Sequence, residues 1–204
     1  MFSVLPFLII STIGLFNWEY LEFIDNNIWK YVYKVRFEFL NKIFILITTF
    51  GDSWFLFLVV TIFTIFLLLK KDLINAIFLS SSVILGALIL NKILKSVYAR
   101  PRPFESINLE NLIEASNYSY PSGHSMGSII VYFLMCYLIS KNIENKNLGK
   151  KLYIFFTIFS ILIAISRVYL GVHYLTDIVA GFSLGFTWAI LSIYFYEKFL
   201  ITKR

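Results

Sequence analysis

Long apolar runs separated by short polar stretches are the feature that most constrains how this chain folds. The run from Trp54 to Leu69 contains no charged residue, and the run from Leu73 to Leu94 contains only Lys92. Apolar segments of about 20 residues are long enough to cross the roughly 30 Å hydrocarbon core of a bilayer as helices. Hydrophobic residues make up 59% of the chain, whereas soluble globular proteins average roughly 45 to 50%. The sequence therefore predicts an all-α, polytopic membrane protein.

Six transmembrane helices, packed as a bundle, are predicted from these runs and the polar breaks between them. They cover residues 1–16, 54–69, 73–94, 122 to about 140, 152–165 and 178 to about 196. The apolar residues 39–50 precede the second of these spans. The first run lacks a basic start and a cleavage site, so we interpret it as an uncleaved span and not as a signal peptide. Because it holds only about 15 apolar residues, we expect it to continue through Trp18 toward Phe23.

The segments between the spans predict a single domain with one interfacial element. Residues 17–42 mix aromatic and charged side chains, which indicates an amphipathic segment at the membrane interface between the first two spans. Gly51-Asp52-Ser53 interrupts the next apolar stretch and is interpreted as a helix cap or a segment near the membrane surface. Since no soluble domain, linker or repeat is evident, residues 1–204 are expected to form one membrane-embedded domain.

Basic residues favour one orientation of the six helices. Half of the 18 basic residues fall in three stretches on one side of the six-span arrangement: Lys70 and Lys71; Lys141, Lys146, Lys150 and Lys151; and Lys198, Lys203 and Arg204. By the positive-inside rule this side is cytoplasmic, together with both termini. Residues 95–121 and 166–177 then share the extracytoplasmic face. Because topology explains these basic residues, the net charge of +6 predicts no nucleic-acid partner.

Four basic residues lie on the extracytoplasmic face against this rule, namely Lys95, Arg100, Arg102 and Arg167. Arg100 by itself is best interpreted as an interfacial anchor, the usual role of an arginine beside a span. The Ser122-Gly123 turn is predicted on the same face as the other three. It stands at the start of a helix, where backbone N–H groups are free to donate. Three cations and a helix start together predict a site for a phosphate anion.

The only two histidines of the chain lie in short polar motifs on the same face. Asp177 follows His173 by four residues, so in a helix both fall on one side, where the carboxylate holds one imidazole nitrogen and leaves the other free as a nucleophile. His124 follows Ser122-Gly123 at the start of a helix. A single histidine near a helix end is more often a polar surface residue, but two such motifs beside three cations favour an active site.

Three motifs, in order, carry a family resemblance. The stretches KSVYARPRP at 95–103, PSGH at 121–124 and SRVYLGVHYLTD at 166–177 follow the patterns K-x6-R-P, P-S-G-H and S-R-x5-H-x3-D. Together they resemble the type 2 phosphatidic acid phosphatase superfamily, which also includes bacterial acid phosphatases and vanadium haloperoxidases. Because the haloperoxidases are soluble, the membrane lipid phosphatase branch is the one expected here.

The resemblance implies a role for each matching residue. His173 would attack phosphorus and form a phosphohistidine, Asp177 would orient its ring, and protonated His124 would donate to the leaving oxygen. The implied phosphate-binding residues are Lys95, Arg102, Ser122, Gly123 and Arg167. The resemblance implies no metal ion and no other cofactor.

The implied activity is hydrolysis of a lipid phosphate in the bacterial inner (cytoplasmic) membrane, at a site facing the extracytoplasmic side. Undecaprenyl diphosphate and phosphatidylglycerophosphate are the favoured substrates, with phosphatidic acid as a further one, and the residues leave open both this choice and the oligomeric state. One alternative is a lipid phosphotransferase that passes the phosphoryl group to an acceptor other than water. The other, a transport or structural membrane protein, is disfavoured because the ionisable residues cluster at one face and do not line the middle of the spans.

Overall fold

The structure of the chain is a computed structural model, which describes residues 2–106 and 111–201. Within these ranges the α-helices are α1 (Leu5–Phe16), α2 (Glu19–Lys34), α3 (Glu38–Thr49), α4 (Ser53–Leu69), α5 (Leu73–Val83), α6 (Asn91–Tyr98), α7 (Pro103–Ser106), α8 (Gly123–Ser140), α9 (Lys146–Tyr169) and α10 (Leu175–Tyr196). A π-helical segment, Ile84–Leu90, joins α5 to α6, so these three pieces form one long helix. A 3-10 turn, Phe2–Val4, precedes α1, and a second π-helical segment, Glu197–Ile201, follows α10.

Four helical segments are long and apolar enough to cross a membrane, namely Leu73–Ser106, Gly123–Ser140, Lys146–Tyr169 and Leu175–Phe199. Two pairs, α1 with α2 and α3 with α4, pass the same test together but bend by 117° and 44°. The described part of the chain therefore holds 4 candidate spans, or up to 6 if each bent pair is one span. The predicted all-helical membrane protein is confirmed, and six crossings stay a prediction.

The first predicted span ends earlier than the sequence indicated. Helix α1 stops at Phe16 and α2 begins at Glu19, so the expected continuation toward Phe23 is wrong. The reason is a turn at Asn17, whose extended backbone ends α1 and whose side-chain oxygen accepts a hydrogen bond from the Glu19 N–H (2.9 Å). Helix α2 has the amphipathic character predicted for this region, because the apolar Leu21 and Trp29 are buried whereas the charged Glu22 and Lys30 are exposed.

Two further predicted boundaries are wrong, and both corrections affect motif residues. Lys95, expected at the start of a loop, lies inside α6, which ends at Tyr98. Ala99 then takes the left-handed conformation (φ 41°) that commonly terminates helices. Arg167, expected in a turn, belongs to the last turn of α9. Both cations are therefore carried by helices, which hold them more firmly than loops would.

Helix α8 forms the centre of the bundle and packs against both α9 and α10. Gly181 of α10 permits the closest approach, since a Cβ atom added there would lie 2.6 Å from the Ser122 carbonyl oxygen. At the same contact the Ser122 N–H donates to the Asp177 carbonyl oxygen (3.1 Å). The starts of α8 and α10 are thus held together, which places the second and third motifs side by side.

The two ends of the bundle differ in chemistry. The starts of α8 and α10 meet the ends of α6 and α9 at one end, where all three motifs lie. At the other end Lys70, Asn75 and Asn142 line one pocket, and the Lys141 ammonium lies 5.0 Å from the Tyr196 ring. The loops that carry these lysines are therefore grouped away from the motifs. The basic residues Lys203 and Arg204 lie outside the described residues.

Candidate active site

A polar cavity of about 700 Å³ lies at the motif end of the bundle. Its ionisable lining includes residues from all three motifs and one aspartate from outside them: Lys95, Arg102, His124, Arg167, His173 and Asp52, together with Glu114. Gly123 also lines it. The structure thus brings together six of the eight predicted site residues in one cavity, while Asp177 and Ser122 lie behind its wall.

His173 lies on one wall of the cavity, in the short turn between α9 and α10. The sequence placed His173 and Asp177 on one helix face, which is wrong, because α10 begins only at Leu175. The contact forms nonetheless: Nδ1 of His173 lies 3.3 Å from Oδ2 of Asp177. Asp177 sits in the first turn of α10 and accepts the Tyr174 backbone N–H (2.9 Å). His173 therefore contacts Asp177 because the turn before α10 folds back over the first turn of the helix, and not because the two residues share a helix face.

The second imidazole nitrogen of His173, Nε2, makes no contact with Asp177 and is available to act as a nucleophile. Its Nε2 lies 3.4 Å from Nη1 of Arg102, and because a guanidinium can only donate, this contact suits an Nε2 lone pair and a proton on Nδ1. Burial, aided by the charges of Arg102 and Lys95 and opposed by the hydrogen bond to Asp177, holds the pKa of His173 well below its usual value. His173 is therefore neutral at physiological pH, as a nucleophile requires.

Asp177 is fully buried and surrounded by donors. Its carboxylate accepts from Nη1 of Arg100 (2.7 Å) and from the hydroxyl of Ser119, which also lies 3.3 Å from Nδ1 of His173. Ser119 is outside the three motifs, and sequence analysis missed it. These contacts keep the carboxylate ionised and fix its direction, so that it holds the His173 ring in one orientation.

Arg100 has a different role from the one its sequence position suggested. The interpretation as an interfacial anchor is wrong, because the side chain is 2% exposed and its Nη2 lies 2.8 Å from Oδ2 of Asp25. Asp25 comes from the buried face of α2 and accepts from both the N–H and the hydroxyl of Thr176. The Arg100 guanidinium stacks 4.0 Å from the Tyr174 ring centre. Arg100 thus bridges two fully buried carboxylates behind the nucleophile.

The three predicted phosphate-binding cations are held in different ways. Arg102 donates to the carbonyl oxygens of Ser116 (2.7 Å), Asn117 (2.8 Å) and Val172 (2.7 Å), which ties the loop to the third motif. Lys95 donates to the carbonyls of Tyr118 and Ser119. Both cations therefore fix the wall of the cavity as well as its charge.

Arg167 offers the clearest free donor of the three cations. Its Nη1 donates to the Thr48 hydroxyl (2.6 Å), whereas its buried Nε has no hydrogen-bond partner within residues 2–106 and 111–201. A buried guanidinium nitrogen without a partner costs free energy unless a ligand supplies an acceptor. An anion in the cavity would supply that acceptor.

His124 also lines the cavity and lies at the start of α8. Its Nε2 lies 2.8 Å from Oδ1 of Asp52, a residue at the bend between α3 and α4. Sequence analysis interpreted Gly51-Asp52-Ser53 as a cap or surface segment. Asp52 does occupy the N-cap position of α4, but its side chain makes no capping hydrogen bond. The one sequence signal that could have found it is a carboxylate interrupting an apolar stretch.

Ser122 and Gly123 open α8 in different ways. The Ser122 hydroxyl accepts from the N–H of Ser125 (3.4 Å) and from its hydroxyl (3.0 Å), so it caps the helix. Ser122 is fully buried, and the structure does not bring it into the cavity. Gly123 does line the cavity, next to Asn91. The helix start therefore contributes backbone to the site but not the serine side chain.

An apolar groove of about 480 Å³ adjoins this cavity. It runs between α4, the α5–α6 helix and α8, and it shares Ser53, Asn91 and Gly123 with the polar cavity. Its lining continues along α4 to Ile65, and a hydrogen bond joins Thr64 to Ser80 (3.1 Å) within it. The cationic cavity therefore borders a hydrocarbon-lined space between these helices.

Comparison with known proteins supplies the family context. The model of the PAP2 superfamily matches residues 75–201. Phosphatidylglycerophosphatase B of Bacillus subtilis is 34% identical over 163 residues, 79% of this chain and 77% of that protein. Undecaprenyl-diphosphatase of Sulfolobus acidocaldarius is 30% identical over 180 residues, 87% of this chain and 77% of that protein.

Two crystal structures resemble the fold. That of a transmembrane PAP2 type phosphatidylglycerolphosphate phosphatase from Bacillus subtilis superposes with a TM-score of 0.82 and 31% identity, covering 97% of this chain and 96% of that one. LpxE of Aquifex aeolicus superposes with a TM-score of 0.64 and 22% identity, covering 84% and 95%, and this likeness concerns the fold alone. The arrangement of helices around the cavity thus has solved counterparts.

Proposed function

The chain belongs to the PAP2 superfamily, and we propose that it hydrolyses a lipid phosphomonoester or diphosphate through a phosphohistidine on His173. Its relatives are phosphatases, which makes the chain a phosphoric ester hydrolase. The observation that supports a lipid substrate is that the cationic cavity adjoins the apolar groove, the two sharing Ser53, Asn91 and Gly123. A phosphate headgroup fits the first space and a hydrocarbon chain the second.

The first chemical step transfers the phosphoryl group to the protein. Nε2 of His173 attacks the terminal phosphorus, so that a P–N bond forms while the P–O bond to the lipid alcohol oxygen, or to the bridging oxygen of a lipid diphosphate, breaks. The proton on Nδ1 stays between His173 and Asp177, and the carboxylate stabilises the positive charge that develops on the ring. His124 gives a proton to the departing lipid oxygen.

The second step releases phosphate and restores the protein. A water molecule gives its proton to His124 as its oxygen attacks the phosphohistidine, and the P–N bond breaks. Lys95, Arg102 and Arg167 balance the negative charge of the phosphoryl oxygens in both steps. The Gly123 N–H at the start of α8 adds a backbone donor. The proposed reaction uses no metal ion or other cofactor.

The site is proposed to face the extracytoplasmic side of a bacterial cytoplasmic membrane. The chain is an integral membrane protein, and its lysine-bearing loops are grouped at the end of the bundle away from the cavity. The positive-inside rule places that end in the cytoplasm. Four of the basic residues at the other end, Lys95, Arg100, Arg102 and Arg167, are explained by phosphate binding and by the buried network of Arg100, so these four do not argue against this orientation.

The dimensions of the groove bear on the substrate. From Ser53 to Ile65 it follows α4 for roughly 18 Å at about 1.5 Å per residue, which is close to one leaflet, or half of the roughly 30 Å hydrocarbon core. A chain anchored at the cavity would thus reach the bilayer midplane. Undecaprenyl diphosphate and phosphatidylglycerophosphate are the proposed substrates, because both place an anionic headgroup at the surface above such a chain.

Phosphate release from a panel of lipids tests this proposal. Purified protein in detergent is given undecaprenyl diphosphate, phosphatidylglycerophosphate, phosphatidic acid or lipid A, and both free phosphate and the dephosphorylated lipid are quantified. We expect one free phosphate per lipid converted, fastest with one of the first two. A phosphorylated acceptor without free phosphate would indicate the phosphotransferase, and no conversion of any lipid would contradict the proposal.

The pH profile provides a second prediction. Because the pKa of His173 lies well below its usual value, the neutral nucleophile persists as the pH falls through about 6.5, the ordinary pKa of histidine. Activity is lost only when the pH falls through the lowered pKa of the folded protein. We therefore expect kcat/KM for the lipid substrate not to fall as the pH is lowered from about 7 to 6, because His173 stays neutral over this range and the protonated fraction of His124 does not decrease. An acidic limb centred at or above about pH 6.5 would contradict a neutral, buried His173.

The groove gives a third prediction, made by narrowing it at Gly127. A Cβ atom there would lie 3.1 Å from Cδ1 of Leu56 and 3.9 Å from Cβ of Ala87, all within the groove. Gly127→Val is expected to lower kcat/KM for a long-chain lipid phosphate about tenfold, which corresponds to a loss of about 1.4 kcal/mol in transition-state stabilisation. Turnover of a water-soluble phosphate ester should be unchanged.

The matched control for this change is Gly149→Val. Gly149 also lies in a helix, but a Cβ there meets only Ser140 at 3.6 Å, an ordinary contact outside the groove. The control should leave both substrates unaffected. Equal loss on lipid and soluble substrate in the Gly127 variant would argue that the groove does not hold the lipid chain.

A further inference from the structure

The cavity contains a second pair of carboxylate and imidazole that the three motifs do not predict. Oδ1 of Asp52 lies 2.8 Å from Nε2 of His124, with the aspartate side chain 31% and the histidine side chain 17% exposed. The two residues are separated by 72 positions in the chain. Their contact therefore depends on the bend between α3 and α4, which brings Asp52 to the start of α8.

The bend is shaped to hold the imidazole. Asp52 stands at the N-cap of α4 with extended backbone, where a carboxylate ordinarily bonds an N–H of the first turn, yet no such bond is made. Its neighbour Gly51 lies so close to the ring that a Cβ atom would be 2.9 Å from Cδ2 of His124. Gly51 thus leaves room for the His124 ring, and the carboxylate of the next residue binds that ring.

A free carboxylate in this place would oppose the proposed substrate. The cavity is set to bind an anion, and an unpaired Asp52 would repel the phosphoryl oxygens. Besides Asp52, the charged groups that act on the ring are Arg167 of α9 and Arg102 in the turn before α7, both positive. These two cations disfavour a positive charge on His124. Of the three charged groups, only Asp52 stabilises the protonated imidazole.

We propose that Asp52 positions His124 as the general acid and base of the reaction. The proposal rests on the phosphatase function inferred above. Asp52 holds the Nε2 proton of His124 and fixes the ring, so that the proton on Nδ1 moves to the lipid oxygen as the P–O bond breaks. In the second half, Nδ1 takes a proton from water as the new P–O bond forms and the P–N bond of phosphohistidine breaks. Asp52 touches neither phosphorus nor the leaving oxygen and is a positioning residue.

The reactivity of the leaving group tests this role. A lipid phosphomonoester such as phosphatidylglycerophosphate expels an alkoxide, which needs a proton to depart, whereas p-nitrophenolate departs readily without one. In Asp52→Asn, kcat/KM for the lipid phosphate is expected to fall about 100-fold or more, while kcat/KM for p-nitrophenyl phosphate should fall less than about threefold. Because the second half still needs a base, a burst of nitrophenolate should precede slow turnover in this variant.

Two further variants make the result decisive. Asp72→Asn is the matched control, because Asp72 is also an N-cap aspartate, accepting from the Asn75 N–H (3.3 Å) at the start of α5, and it should behave as wild type. Asp52→Glu keeps the carboxylate and should recover part of the lipid activity; if Asp52→Asn does not fold, the same comparison of substrates is made with this variant.

The outcomes separate this inference from the proposed function. Wild-type protein that releases phosphate from no substrate would overturn the proposed function itself. If the wild type is active and Asp52→Asn loses activity equally on both substrates, or on neither, only the role of Asp52 would be overturned. A selective loss on the lipid phosphate, together with the burst, supports it.

Discussion

Replacing His173 by asparagine is expected to lower lipid phosphate hydrolysis at least about 10⁴-fold, because the reaction loses the atom that accepts the phosphoryl group. Asparagine keeps a polar side chain of similar reach but has no nucleophilic nitrogen. Cations from three parts of the chain, Lys95, Arg102 and Arg167, remain in the cavity, so binding of the anion should survive. The loss should therefore appear in kcat, with KM changed little.

His124→Asn is the matched comparison, since these are the only two histidines in the chain and both line the same cavity. With p-nitrophenyl phosphate, whose leaving group needs no proton, this variant should still form a phosphoenzyme, and His173→Asn should not. Thermal melting in the same detergent checks that both variants fold. Substantial steady-state activity in the His173 variant would exclude this residue as the nucleophile.

The second large effect is on stability, at Arg100. This side chain is 2% exposed and lies between two carboxylates, Asp25 and Asp177, that are 0% exposed. Arg100→Met retains much of the aliphatic volume but leaves both carboxylates without their cation. Removing one partner from a buried ion pair typically costs about 3–5 kcal/mol, because an uncompensated charge remains in a low-dielectric interior. We expect a loss of that size in the free energy of unfolding.

Denaturant unfolding in mixed micelles measures this loss. The matched control is Lys42→Met, which removes one partner of the Lys42–Glu38 pair, whose side chains are 72% and 83% exposed. An exposed pair of this kind contributes less than about 0.5 kcal/mol, so the control should unfold close to wild type. Adding Asp25→Asn to Arg100→Met should recover part of the lost free energy of unfolding, because one of the two unpaired buried carboxylates is then neutral. An Arg100→Met variant as stable as the control would contradict the account of this network.

The general architecture and most of the cavity could be predicted from the sequence. Long apolar runs specify membrane helices because a bilayer leaves few other ways to satisfy the backbone, and α8 starts at Gly123, one residue after the predicted start. Three short motifs identified Lys95, Arg102, His124, Arg167 and His173, all of which line the cavity. A motif carries this information because its residue types are those required for phosphate chemistry.

Contacts that depend on bends could not be predicted. Asp25 reaches Arg100 because α2 turns by 117° from α1 and lays its buried face against α10, and the two residues are 75 positions apart. Asp52 reaches His124 through the bend of 44° between α3 and α4. Apolar periodicity gives the length of a helix but not its angle to the next one, so neither pair has a sequence signature.

The spacing of His173 and Asp177 was informative for a reason other than the one first inferred. A separation of four residues suits one face of a helix, but it also suits a residue just before a helix and an acidic residue in its first turn. The structure has the second arrangement, in which Asp177 also accepts the Tyr174 N–H. Sequence spacing alone does not distinguish the two, although both bring the imidazole to the carboxylate.

Direct detection of the covalent intermediate tests the central claim most closely. The protein is mixed with a lipid phosphate labelled in the phosphoryl group, quenched in alkali, where phosphohistidine is stable, and digested for peptide mapping. We predict that the label is found on His173, that it appears and decays at rates compatible with turnover, and that it is absent from His173→Asn. Hydrolysis without labelled His173, or label on another residue, would contradict catalysis through a phosphohistidine at this site.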